Sequence, residues 1–216
     1  FPEGGLSLTG HVMRPKLGLL SYLVTGQPTS DRDLVFVPVA INYDRVLEDR
    51  VLIAAAERGD RRFGARISVV VGFILRKFWQ GLRGRYVRFG TAAMVFGEPL
   101  SCRAFGPDKS GEDLSRVLMQ RIEDAMPVLM VPLLARHFVR ADGPLKTEDL
   151  VVAASRDAAE LGHHMPGFTT EDFALSVTSS LSSMRRHGMI EESSGGWCQT
   201  KREAHLMAYY ANSIRH

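Results

Sequence analysis

Along the chain the spacing of apolar positions changes several times, and each change marks an element. Leu17 to Val24 is mostly apolar and follows Pro15, the pattern of a short helix with a proline in its first turn. Leu34 to Ile41 is a nearly continuous run of β-branched and aromatic residues, which predicts a strand buried on both faces, as in parallel sheets. Pro38 has no N–H to give a central strand, so a bulge or a stop in pairing is expected there. The polar stretch through Glu57 reads as helix. From Ile67 to Leu82, Val, Phe, Ile and Trp79 mix with Arg76 and Lys77, a pattern that suits an amphipathic helix. Tyr86 to Phe89 and Ala92 to Phe96 read as extended segments that end at Gly97-Glu-Pro-Leu100.

Ser110, followed three residues later by Asp113, is close to a capping box, and Leu114, Val117, Leu118, Arg121, Ile122 and Ala125 keep helical spacing. A helix from about Glu112 to Ala125 follows. Beyond Pro132, three further helices are predicted, over Leu133 to Val139, Thr147 to Leu161 and Asp172 to His187. They are separated by Gly143-Pro144 and Pro166-Gly167. Thr169 with Asp172 repeats the capping pattern, a Ser-Ser-Gly-Gly turn occupies Ser193 to Gly196, and a last helix runs from about Lys201 to Ile214. The change of character sets a domain boundary near Val128, giving a first unit over 1–127 and a mainly helical unit over 128–216. No internal repeat is present.

The chain has 216 residues and is 45% apolar, enough for one sizeable core plus a small appendage. Its two cysteines, Cys102 and Cys198, have neither metal-ligand nor redox spacing, which fits a reducing environment. The net charge is only +3, yet Arg61, Arg62, Arg66, Arg76, Lys77, Arg83, Arg85 and Arg88 follow one another without an intervening acid. Such a stretch is either a solvated face or a surface for lipid headgroups, nucleic acid or substrate phosphates. The longest apolar runs, Ile67 to Leu75 and Ala125 to Ala135, fall well short of the ~20 residues that cross a bilayer. The chain opens at Phe1 inside a glycine-containing loop without an initiator Met, as expected of a fragment.

Phe1-Pro-Glu-Gly-Gly-Leu-Ser-Leu-Thr-Gly10 resembles the third conserved block of the glycerolipid acyltransferases, which reads Phe-x-Glu-Gly-Gly-Arg-Ser-Arg-Thr-Gly in the membrane-bound glycerol-3-phosphate acyltransferase branch. Pro15-Lys-Leu-Gly-Leu-Leu20 follows at that branch's spacing, and Val37 to Val46 resembles its fourth block. Phe96-Gly-Glu-Pro-Leu100 and Tyr209 to Ile214, with His216, resemble two later signatures. The blocks occur in family order along nearly the whole chain.

The resemblance implies an α/β fold: the carboxy-terminal part of an acyltransferase α/β domain, followed by a mainly helical domain. It also implies transfer of a fatty acyl group from acyl-CoA or acyl carrier protein to glycerol 3-phosphate in phospholipid synthesis, with no bound cofactor. The setting would be the cytoplasmic face of a membrane, with membrane lipids as further partners and a bacterial leaning. The family's catalytic His-x-x-x-x-Asp block lies ahead of the third block, hence before Phe1, so no catalytic residue is expected within this chain. One internal match to that loose pattern, His137 to Asp142, falls on a predicted helix and its exit and is read as coincidence. His163 and His164 read as loop residues, since no carboxylate or Cys stands at metal spacing from them.

Glycerol 3-phosphate is a small dianion and needs cations or N–H donors aimed at its phosphate. Gly4, Gly5 and Gly10 allow close backbone approach, Ser7 and Thr9 carry hydroxyls, and Glu3 is expected to orient the loop or the substrate. The family's two loop arginines correspond here to Leu6 and Leu8, which leaves Arg14 and Lys16 as the nearby cations. Pro38 and Tyr43 are expected to shape the cleft, and Arg76, Lys77 and Trp79 to meet a membrane surface. Two other readings stay open. One is a catalytically silent acyltransferase-like protein that binds lipid or a partner. The other is a winged-helix module, although its recognition helix would carry cations only at Arg185, Arg186 and His187, away from the base-reading end. Nucleic acid is therefore not an expected partner.

Overall fold

The computed structural model describes residues 3–4, 7–26, 31–46, 49–57, 79, 90–106, 110–161, 165 and 172–214. The run expected to form one strand forms two, β1 (Val35–Phe36) and β2 (Val39–Tyr43). Both pair antiparallel with the segment that leads back, β2 with β3 (Ala92–Phe96) and β1 with β4 (Leu100–Ser101). This corrects the expectation of a parallel, doubly buried strand. Ala40 and Asn42 turn inward while Val39 and Tyr43 stay exposed, so the run is apolar on both faces although one face is open among the described residues. A continuous apolar run alone does not separate these cases. Pro38 does interrupt the pairing, as expected: it falls between β1 and β2, and its carbonyl still accepts from Gly97 N–H at 2.8 Å.

The helices follow their sequence signals closely. α1 (Gly18–Gly26) begins later than expected, so that Pro15 lies in the extended approach rather than in the first turn. After α2 (Asp49–Glu57), a short α3 (Cys102–Phe105) is capped by the Ser101 hydroxyl. α4 (Gly111–Asp124) carries the full capping box, with Ser110 Oγ accepting from Asp113 N–H and the Asp113 carboxylate accepting from Ser110 N–H. Beyond it lie α5 (Met130–Arg140), α6 (Thr147–Leu161) and α7 (Phe173–Arg186). Asp172 immediately precedes α7 and makes no side-chain cap bond; Thr169 lies outside the described residues. A hairpin of β5 (Ile190–Ser193) and β6 (Gly196–Gln199) closes on the expected turn. The single last helix that was expected is a 3-10 turn (Lys201–Glu203) leading into α8 (Ala204–Ala211). The segments 67–78, 80–82 and 86–89, expected to be helical or extended, lie outside the described residues.

The core is built around α5. Its sequence is apolar nearly all round until Arg136, and a helix of that kind belongs at a centre, not on a surface. Leu133, Leu134 and Ala135 are fully buried among Val177, Leu181 and Met184 of α7 and Met207 and Tyr210 of α8. Pro132 is tolerated because it falls in the first turn, where no N–H is owed to the helix. Leu52 of α2 belongs to this same core, and half-buried Leu8 and Val46 pack against it. One buried ion pair crosses it, Arg136 Nη2 to Asp157 Oδ2 at 2.7 Å.

Candidate functional site

The glycine loop is held in place by its own backbone and by the far end of the chain. Gly4 has φ +67°, and a Cβ placed there would lie 2.7 Å from Lys16 Cδ and 3.1 Å from its Nζ. The Lys16 side chain therefore lies directly over the loop. Ser7 Oγ donates to the His11 carbonyl at 2.8 Å, and the Thr9 carbonyl accepts from Asn212 Nδ2 at 2.9 Å. Gly10, at φ +86°, abuts the Tyr209 carbonyl so closely that a Cβ has no room. Glu3 is half-buried and Arg14 is exposed; Gly5 and Leu6 lie outside the described residues. Leu8, which stands where the family has an arginine, packs against the core.

Lys16 stands at the edge of an otherwise apolar cleft of about 670 Å³. Leu20 and Leu23 of α1 form one wall, Phe36, Pro38 and Ile41 of the ribbon another, and Leu118 and Ile122 of α4 the third. The Ser115 hydroxyl also lines the cleft. The residue is 3% exposed, and its oxygen has no hydrogen-bond partner among the described residues. A buried hydroxyl without a partner is costly. Gly4, Lys16 and Pro38 thus come together here. Tyr43 does not line the cleft: it is exposed beyond Ile41 on the same ribbon face, where Met94 and Phe96 are exposed too. Its neighbour Asn42, which sequence reasoning passed over, is buried and ties the ribbon to the end of the chain, with Nδ2 donating to the Pro127 carbonyl at 2.9 Å and to Ser213 at 3.4 Å. Trp79 is exposed, while Arg76 and Lys77 lie outside the described residues.

A second cavity, of about 470 Å³, lies between α7 and the residues Asp44, Arg45, Asp49 and Arg50. Tyr210 anchors it, donating to Asp49 Oδ2 at 2.7 Å and accepting from Val46 N–H at 3.0 Å. Burial, followed by the Asp49 carboxylate, pushes the Tyr210 phenol far above its usual range, so it remains a hydrogen-bond donor at any working pH. Arg45 Nη1 meets His187 Nε2 at 2.8 Å, and Arg50 Nη2 donates to the His187 carbonyl at 2.9 Å. Burial also lowers the Arg45 value. No sequence motif announced this network, since its members lie more than a hundred residues apart.

His137 has Asp157, not Asp142, as its carboxylate neighbour: its Nε2 lies 3.3 Å from Asp157 Oδ2 on α6. Burial holds the imidazole below its usual value, against the pull of Asp157. Asp142 is exposed, and His163 and His164 lie outside the described residues. Among the described residues, no three His, Cys, Asp or Glu side chains gather as metal ligands, and no helix is long and apolar enough to cross a membrane. The carboxy-terminal elements follow winged-helix order, with Leu145 bridging to Trp197 beside the hairpin. However, the serine face of α7 lines the second cavity, and that helix is the one that would have to read bases.

The chain is similar to curated proteins that bear the name glycerol-3-phosphate acyltransferase. The chain is 34% identical over 108 residues to a protein of Pseudomonas fluorescens (strain SBW25) named glycerol-3-phosphate acyltransferase, a match covering 49% of this chain and 12% of that protein. A protein of the same name from Ectopseudomonas mendocina (strain ymp) is 38% identical over 106 residues, with the same coverage of 49% and 12%. A third, from Glaesserella parasuis serovar 5 (strain SH0165), matches along 100% of this chain at 27% identity and is covered over 29% of its own length. The chain thus spans less than a third of the length of the curated relatives it matches. No protein-family model matches it.

Proposed function

We propose that the chain forms the phosphate-holding and acyl-holding part of an acyltransferase that moves a fatty acyl group from acyl-CoA or acyl carrier protein to glycerol 3-phosphate. The observation that carries this reading is the meeting of Lys16 and the Gly4 loop with one end of the apolar cleft. An ammonium above a left-handed glycine suits a phosphate, and the cleft suits a hydrocarbon chain, so the two halves of the product, lysophosphatidic acid, find matching surfaces side by side. In this reading Lys16 neutralises the phosphate and the Gly4 loop admits it closely. Ser115 gives its hydroxyl to a polar atom of the acyl group, and the α1 and α4 side chains exclude water from the chain. The proton of the attacking glycerol hydroxyl is taken by a base outside these residues. Attachment to the cytoplasmic face of a bacterial membrane belongs to the same proposal, with Arg76, Lys77 and Trp79 at the headgroups.

The silent-homologue reading loses part of its motive, because Leu8 has a packing task of its own. The test is acylation kinetics on the full-length gene product in membranes. Lys16→Ala is expected to raise KM for glycerol 3-phosphate about tenfold, the worth of roughly one charged hydrogen bond. Ile122→Trp is expected to shift preference toward shorter acyl chains. Unchanged KM together with unchanged chain preference would sink the proposal.

A further inference from the structure

We infer that the cavity that α7 forms with Asp44, Arg45, Asp49 and Arg50 binds a small phosphate-bearing ligand, at a place separate from the Lys16 cleft. One wall is the face of α7 that carries Ser176, Ser179, Ser180 and Ser183. Their spacing of three, four and seven residues puts four hydroxyls in line on one side of the helix. Arg45 and Arg50 line the cavity and meet at His187, Arg50 also pairing with Glu203 at 3.0 Å, and Arg186 lines it as well.

The two arginines that end α7 have different work. Arg185 pairs with Glu192 at 3.3 Å and lies 5.8 Å from the centre of the Trp197 ring, so it belongs to the hairpin. Arg186 lines the cavity and makes no ion pair among the described residues.

The carboxylates in the cavity wall are engaged by the protein. Asp44 accepts from Val131 N–H at 3.1 Å and Thr91 N–H at 3.3 Å. Asp49 accepts from the Tyr210 hydroxyl and from Arg50 N–H. Asp172 stands at the opposite end of α7 from Arg186, about 20 Å away at 1.5 Å per residue. The carbonyls at the carboxy end of α7 would oppose an anion, but the N–H groups of His187, Gly188 and Met189 already satisfy them. Beside these engaged groups the cavity is lined by the Arg186 guanidinium and the four serine hydroxyls, a donor set that fits the oxygens of a tetrahedral phosphate. At about 470 Å³ the space exceeds a bare phosphate, and Leu175, Met184 and Leu206 offer an apolar wall to the rest of the ligand.

The test is calorimetric titration of the full-length gene product with phenyl phosphate, with phenol and glycerol 3-phosphate as comparisons. Phenyl phosphate should bind and phenol should not. Arg186→Gln and the double change Ser179→Ala with Ser183→Ala should each weaken phenyl phosphate at least tenfold with an unchanged melting temperature. Equal binding of phenol and phenyl phosphate, no binding at all, or full binding in both cavity variants would overturn the inference. Loss of glycerol 3-phosphate binding in Arg186→Gln with retention in Lys16→Ala would overturn the separation of the two sites, and would also move the substrate away from the Gly4 loop.

Discussion

The helices around α5 and the ribbon of β1 to β4 spend their apolar side chains in opposite ways. Leu129, Leu133, Leu134 and Ala135 are 0% exposed, whereas Val35 is 51%, Met94 54% and Phe96 67% exposed on the ribbon, and Leu19 on α1 is 74% exposed. The ribbon strands are the more apolar of the two by sequence, so apolar content does not foretell which side chains are covered. What separates them is whether another layer covers the face. The helical region covers its own, and stability is its product; the ribbon and α1 leave a face open beside the cleft, and contact is theirs.

Breaking the helical side should cost most. Asp157→Ala leaves the Arg136 guanidinium, 12% exposed, without its carboxylate, and should destabilise the fold by about 3–5 kcal/mol in a urea titration. A loss below about 1 kcal/mol would mean that this core is far less sealed than its burial indicates. The seam between the regions should come next. Tyr210→Phe removes the hydroxyl shared by Asp49 and Val46 N–H, and about 1–3 kcal/mol is expected. Faster amide exchange in α2 than in α5 of that variant would show the regions parting at this contact.

The smallest effect concerns His137. Burial keeps its folded value below the ordinary 6.5, so the unfolded chain takes up the proton first as pH falls. The stability held by the neutral ring is complete above about 6.5 and is lost through the window beneath it. Melting temperature should therefore fall between pH 7 and pH 5 by more in the natural protein than in His137→Gln. An identical fall in the two would remove His137 from the account.

Local signals carried the reading of the fold a long way. The capping box at Ser110 and the helix Thr147–Leu161 involve residues close in sequence, and both appear where expected. The strand Ala92–Phe96 does too, and the pairing break at Pro38 follows from one missing N–H. The open face of β2 was not legible, because an apolar residue looks alike whether it is covered or not. At the Gly4 loop, glycine and lysine were readable as types, but the Lys16 side chain lying over Gly4 depends on the path between them. At the second cavity the serine line on α7 was readable from its spacing, but the contacts of Arg45 and Arg50 with His187 and of Tyr210 with Asp49 join distant stretches of chain and left no local trace.

The bond from Asn212 to the Thr9 carbonyl joins residues 203 positions apart, and that from Asn42 to Ser213 spans 171. During synthesis the glycine loop is made about two hundred residues before the clamp that holds it. The loop cannot take its final shape until Asn212 has been made, so a change at Asn212 would be felt at Thr9, and maturation of the loop is tied to the slowest kind of contact to form.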